Sequence, residues 1–174
     1  MKKTLLLSVF CASLFACSTP EEKKETSETT TATAAGSVTT TGPEVDLMKK
    51  AQSAWASGDW DTYLSCYADT ARSVHNGWAS NDTTVAKKMS SFIDQFKKSR
   101  ELMDGNVTIE NTIYEVVTMA NGNQYGHAWA NLSWKSKKGV VSKSVIFNSY
   151  GIKDGKLTYE WPIYDSKPFT DLTK

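Results

Sequence analysis

Cysteine and histidine are scarce, at three and two of 174 residues, and that scarcity removes whole classes of chemistry. Cys11 and Cys17 fall at the extreme N-terminus, so Cys66 stands alone in the rest of the chain and no disulfide can close there. Cys66 reads as a small buried hydrophobe, since a reactive thiol would need a base beside it. No Cys/His cluster has the spacing of a metal site, no Gly-rich loop has the strand-to-helix form that cradles phosphate, and no His-Asp pair sits at a recognisable catalytic spacing; no metal or cofactor is implied. Positive charge is not concentrated either. Lys87-Lys88, Lys97-Lys98 and Lys137-Lys138 are dispersed pairs, and the net charge of +1 becomes about −1 once residues 1–16 are set aside, so nucleic-acid binding has no electrostatic footprint.

Long apolar runs are also missing, apart from Leu5 to Phe15 behind Lys2 and Lys3. At about a dozen residues this run falls short of the ~20 that span a bilayer and reads as a signal-peptide core. Its end, Leu14-Phe15-Ala16-Cys17, resembles the lipobox of bacterial lipoproteins. The resemblance implies cleavage after residue 16 and a lipid on Cys17; the alternative is an ordinary secretory signal in which Cys17 is incidental. From Ser18 to Gly42 the chain is rich in Thr, Glu, Lys, Ser and Ala without apolar periodicity, which predicts a disordered tether over 17–43. Glu21, Glu22, Lys23 and Lys24 behind Cys17 read as solvating charges; alternatively the acidic pair resembles surface-export signals of some lipoproteins, and Ser18 is not the aspartate of inner-membrane retention. The implied address is the bacterial envelope, anchored by lipid, in the outer membrane and either periplasmic or surface-exposed.

Residues 44–174 have the length of one domain. It is organised around Ala51 to Asp69, where Leu47, Met48, Ala51, Ala54 and Trp55 recur at helical spacing and Gly58-Asp59 can end one helix and cap the next. The second helix starts near Trp60, with Trp60, Tyr63, Leu64 and Tyr67 on its apolar face. A short strand is expected over Ala71 to His75, a turn at Asn76-Gly77, and a third helix over Thr83 to Ser99 with Val85, Met89, Phe92, Ile93 and Phe96 inward. Four long antiparallel strands follow: Val107 to Met119, Gln124 to Trp134, Val140 to Ile152 and Leu157 to Tyr164, joined by turns at Asn121-Gly122, Lys137 to Gly139 and Asp154-Gly155. Gly126 and Gly151 are candidate bends or close approaches. The fold class is α+β, three helices packed on a strongly curved antiparallel sheet.

Alternation divides each strand into two faces without saying which is inward. Tyr125, His127, Trp129 and Asn131 oppose Gly126, Ala128, Ala130 and Leu132; Ser144, Ile146, Asn148 and Tyr150 oppose Val145, Phe147 and Ser149; Leu157, Tyr159 and Trp161 oppose Thr158 and Glu160.

This order of elements, with AWASGDWDTYLSCYADTA opening it and YGIKDGKLTYEWPIYD closing it, resembles a nuclear transport factor 2-like domain of the SnoaL-like kind. The resemblance implies a cone with a pocket between helices and sheet, in a family of isomerases, dehydratases, cyclases and non-catalytic binding modules, often dimerising through the sheet. Fold alone does not choose among these. In the resembling fold His75 lies close to the region that supplies the general base, where Asp69 or Tyr63 would assist it; the commoner case is a hydrogen-bonded histidine lining the pocket, with Asp69 as a cap or turn residue. Ligand contacts are expected from Trp78, His127, Trp129, Asn148, Tyr150 and Trp161. Lacking an evident catalytic set, the chain reads first as a tethered module that binds a small molecule in an aromatic cone, or pairs with a second copy. The alternatives are a proton-transfer enzyme with His75 as base, and a structural lipoprotein whose pocket its own side chains fill.

Overall fold

The computed structural model describes residues 36–75 and 87–173. The central helix pair forms for the expected local reasons. Helix α1 (Pro43–Ser57) opens with Pro43 where an amide donor is not needed, carries Glu44 and Asp46 in its first turn, and ends at Gly58 in a left-handed conformation at φ 78°. The Gly58 and Asp59 amides donate back to the Trp55 and Ala54 carbonyls, and the Asp59 carboxylate accepts from the Thr62 amide at 3.1 Å to cap α2 (Trp60–Ser65). Helix α2 is shorter than its apolar spacing suggests. Tyr67 is already in a strand, because the chain is captured there by parallel pairing with the last long strand, opposite Leu157.

A seven-stranded sheet in the order β1-β4-β5-β6-β7-β2-β3 faces these helices. Its strands are β1 (Gly36–Thr39), β2 (Tyr67–Ser73), β3 (Lys87–Lys88), β4 (Thr108–Met119), β5 (Gln124–Lys135), β6 (Val141–Lys153) and β7 (Lys156–Tyr164), antiparallel except where β2 joins β7. The four long strands lie where alternation placed them. Strand β1 corrects the expected tether: Gly36 to Thr39 pair with Met119 to Val116, so the ordered domain includes residues well before 44. Val38, its one large apolar residue, stays 41% exposed, so the strand is held mainly by backbone bonding to the β4 edge and leaves little apolar trace in composition.

The third helix also needs correcting. Lys87 and Lys88 pair with Ser73 and Arg72 as β3, Met89–Phe92 make a 3₁₀ turn, and only then does α3 (Ile93–Glu101) begin. Met89 and Ile93 are buried as expected, but Lys88 is extended, with ψ 139°, which breaks the helix the stripe suggested. The Asn76-Gly77 turn and positions 83–86 lie outside the described residues. A short helix α4 (Lys167–Thr170) closes the chain and stacks Phe169 on Trp134 at 4.4 Å.

The sheet turns its small residues toward the helices. Ala128, Ala130, Leu132 and Trp134 are buried on that face, beneath α1 and the chain's C-terminal end. Gly126 lies under Met48, where a β-carbon would overlap Met48 Sδ and press on Ile152 Cδ1 at 3.1 Å. Gly126→Ala is therefore expected to cost about 1–3 kcal/mol by overpacking, read as a lower urea midpoint at unchanged slope; an unchanged midpoint would mean that α1 does not press on β5.

Strand β7 is irregular. Ile152 faces Leu157 while Gly151 faces Tyr159, so β7 carries one extra residue, Thr158, at a bulge. The bulge reverses the inward-outward alternation of β7. Leu157 is buried before it, and Glu160 and Pro162 are buried after it.

Candidate functional site

Between the helices and the concave face of the sheet lies a cavity of about 110 Å³. Its walls are aromatic: Trp60 stacks on Phe96 at 5.9 Å, Trp55 meets the same ring edge-on, and Tyr164 and Phe169 stand edge-to-face at 5.3 Å. The scale is at most that of one small ring: an apolar cavity of about 150 Å³ accepts benzene, and this one is smaller but opens to the surface.

Its floor is polar and built around Glu160, which is buried at the centre of β7. The Tyr63 and Tyr67 hydroxyls donate to the same carboxyl oxygen, Oε2, at 2.9 and 2.8 Å. Burial pushes the Glu160 carboxyl up to about 7, and the two phenols hold it back from rising further. The same burial, with the nearby Glu160 charge, lifts Tyr63, Tyr67 and Tyr150 well above the usual phenol range, so they remain donors at any physiological pH. Asn148 Nδ2 donates to the Tyr150 hydroxyl at 2.8 Å, leaving Asn148 Oδ1 buried without a partner among the described residues. Gln52 accepts from Tyr114 at 2.7 Å beside them.

His75 forms part of the wall. Its ring stacks on Phe92 at 4.5 Å, Nδ1 lies 3.3 Å from the Tyr164 hydroxyl, and Nε2 is buried without a partner among the described residues. Burial among rings pushes its pKa down to about 4. At neutral pH the imidazole is an uncharged hydrogen-bonding group and a weak base. Its ring-proton shifts are expected to stay constant from pH 8 to pH 5.5 and to move only near pH 4; a midpoint near 6.5 would show a solvated ring.

The residues singled out from sequence divide by the face they occupy. Tyr63, His75, Asn148 and Tyr150 come together at the cavity. Asp69 does not: it is exposed on β2, away from any acid–base work here. His127 and Trp129 are likewise corrected, because Gly126, Ala128 and Ala130 take the inward positions of β5 and turn them outward. There His127 Nδ1 meets Glu115 Oε1 at 3.0 Å, and Trp129 packs on Phe147. Trp161 falls on that outer side too, between the inward Glu160 and Pro162. Trp78 lies outside the described residues. Cys66 is buried and its Sγ donates to the Thr62 carbonyl at 3.4 Å, a packing role; burial raises its thiol pKa. Among the described residues no group of three His, Cys, Asp or Glu is placed to hold a metal, and no helix is long and apolar enough to cross a membrane.

Glu160 was the residue that alternation hid. With Leu157 inward, an unbroken strand puts Glu160 in solvent, and only the bulge at Thr158 reverses it. A charged residue between Tyr159 and Trp161 in so apolar a strand was the signal available. Arg100, which reaches the cavity from α3, was missed for the opposite reason: at a helix C-terminus a basic residue looks like an ordinary partner of the dipole.

No protein-family model matches this sequence, and no curated protein does. Solved structures do. A candidate polyketide cyclase from Xanthomonas campestris pv. campestris matches at TM-score 0.59 and 12% identity over 76% of this chain and 97% of its own. Another such candidate, IdmH from Streptomyces antibioticus, matches at 0.53 and 15% over 75% and 97%. An NTF2-like protein from Burkholderia xenovorans matches at 0.52 and 13% over 76% and 96%. At these identities the likeness is one of fold.

Proposed function

With the α+β cone of the nuclear transport factor 2-like fold as its premise, we propose that this chain is a small-molecule-binding domain tethered to the bacterial envelope by lipid on Cys17. The observation that carries the binding reading is the polar lining of an aromatic chamber: a buried carboxyl at its floor and two buried polar atoms on residues that line it, His75 Nε2 and Asn148 Oδ1, with no partner among the described residues. Leaving such atoms unpaired costs about 1–3 kcal/mol each, and a ligand bearing a hydroxyl, amide or carbonyl group would satisfy them. The tether and its outer-membrane address rest on the N-terminal pattern alone.

The test is native mass spectrometry of the full chain released from membranes by detergent. A small molecule lost on denaturation supports the reading, as does the mass of a diacylglyceryl or palmitoyl group on Cys17 for the anchor. A chain that neither carries a ligand nor binds any in a fragment screen contradicts it.

A second reading, a proton-transfer enzyme, is favoured by one observation. The Glu160 carboxyl titrates near neutrality, where a general acid or base works best. Glu160 suits that role better than His75, whose low pKa makes it a weak base. Loss of turnover in Glu160→Gln with retained ligand affinity would identify catalysis.

The convex face supports pairing with a second copy. Ile113, Trp129 and Val145 are exposed there on adjacent strands, at 61%, 37% and 63%, and exposed apolar residues gathered on one sheet face suit an interaction surface. Val145→Glu is expected to shift sedimentation from dimer to monomer at micromolar concentration; a wild-type monomer at that concentration would remove the dimer.

A further inference from the structure

Arg100 brings to this cavity a charge that no ion pair among the described residues neutralises. The residue sits in the last turn of α3, half-buried, and lines the chamber with Gln95, Phe96 and Ser99 of the same helix. Its guanidinium donates to Asn106 Oδ1 at 3.1 Å and to Met103 Sδ at 3.7 Å, both neutral acceptors. None of the ion pairs among the described residues includes it; the nearby Asp104 is taken by Lys135 at 3.3 Å. A guanidinium offers five N–H donors in a planar fork, and two are used. Burial lowers the Arg100 pKa, the mark of a cation that has lost water without gaining a counter-ion.

Glu160 is buried, whereas Arg100 is half-buried and Gln95 on the same helix is exposed, so Arg100 is nearer to solvent than Glu160. The Trp55, Trp60 and Phe96 rings line the same chamber: Phe96 is one turn before Arg100, and Trp60 meets Tyr63, which donates to Glu160. Resting on the binding reading above, we infer that the ligand is a small aromatic or arylalkyl carboxylic acid, its ring between these walls and its carboxylate paired with Arg100. A fork-to-fork contact of this kind is the strong, planar recognition that arginine provides and lysine does not. The chamber holds about one ring, so a multi-ring molecule would have to leave most of its surface outside.

The test is calorimetric titration of the full chain in detergent with benzoate and 3-phenylpropanoate, and with benzamide and 3-phenylpropanamide as neutral matches. At least one acid is expected to bind tenfold or more tightly than its amide. Arg100→Gln erases that preference while leaving amide affinity in place, and Arg100→Lys recovers only part of it. Asn106→Ala removes the structural tie of Arg100 but not its charge, and keeps the preference. Amides binding as tightly as acids, or a preference that survives Arg100→Gln, would overturn the anion assignment while leaving the binding reading intact. Failure of both acids and both amides to bind would overturn the assignment of a ring with a carboxylate at Arg100, while the binding reading is decided separately by the fragment screen described above.

Discussion

Glu160→Gln is expected to make the protein more stable above pH 7, by about 3 kcal/mol, and to change little below pH 4.5. The amide keeps an oxygen that can accept from both Tyr63 and Tyr67, and removes the ionised form that burial penalises. The sign follows from the proton balance. The carboxyl titrates at 4.5 when unfolded and at about 7 when folded, so between those values the folded state holds a proton that the unfolded state has released. Stability from Glu160 is complete below 4.5 and is lost as pH rises to about 7, at roughly 1.4 kcal/mol per pH unit across that interval. His75 works against it. An imidazole that titrates at 6.5 unfolded and about 4 folded supports the fold above 6.5 and withdraws that support as pH falls toward 4. From 4.5 to 6.5 the two slopes oppose each other in the wild type, and Glu160→Gln uncovers the His75 slope. Urea denaturation of both proteins across pH 4 to 8 measures this. A variant less stable than wild type at pH 8 would mean that the carboxylate is satisfied and solvated.

The second large effect belongs to the phenols. In Tyr63→Phe with Tyr67→Phe, Glu160 loses both donors that hold its pKa down, so its midpoint should rise beyond 7. Above that midpoint the buried carboxylate has no donor from either ring, and the fold should lose about 3–5 kcal/mol. Below pH 5 the carboxyl is neutral and the loss should be far smaller. Adding Glu160→Gln should recover most of the stability at pH 8, because an amide does not carry the charge that needed the phenols. A loss independent of pH, unaffected by the third change, would assign Tyr63 and Tyr67 to packing alone.

Local signals made the helix pair legible in the sequence: Gly58 for the left-handed exit, Asp59 for the cap, and apolar residues at three-to-four spacing. The long strands were legible from alternation and from turns such as Asn121-Gly122. Strand β1 was hidden because GSVT gains its place from backbone pairing with β4 and buries little side chain. The start of α3 was misplaced because an apolar stripe does not reveal that Lys87 and Lys88 pair with β2. At the site, Asn148, Tyr150, Tyr63 and His75 were recognisable as polar or aromatic groups on elements that a cone would enclose. His127, Trp129 and Trp161 looked equally suitable, and only tertiary packing, with Met48 over Gly126, decides which face of the sheet is inward. Glu160 depended on a single extra residue in β7, a feature of pairing between strands that no property of β7 alone encodes.

The most direct test of a neutral acid at the cavity floor is a carbon-13 NMR titration of the glutamate side-chain carboxyls, with Glu160 assigned by its absence in Glu160→Gln. One carboxyl is predicted to change shift with a midpoint at about 7, well above the ordinary glutamate value of ~4.3. A Glu160 midpoint near 4.5 would contradict this, since the floor of the cavity would then be an ordinary solvated carboxylate and not a neutral acid buried behind an aromatic wall.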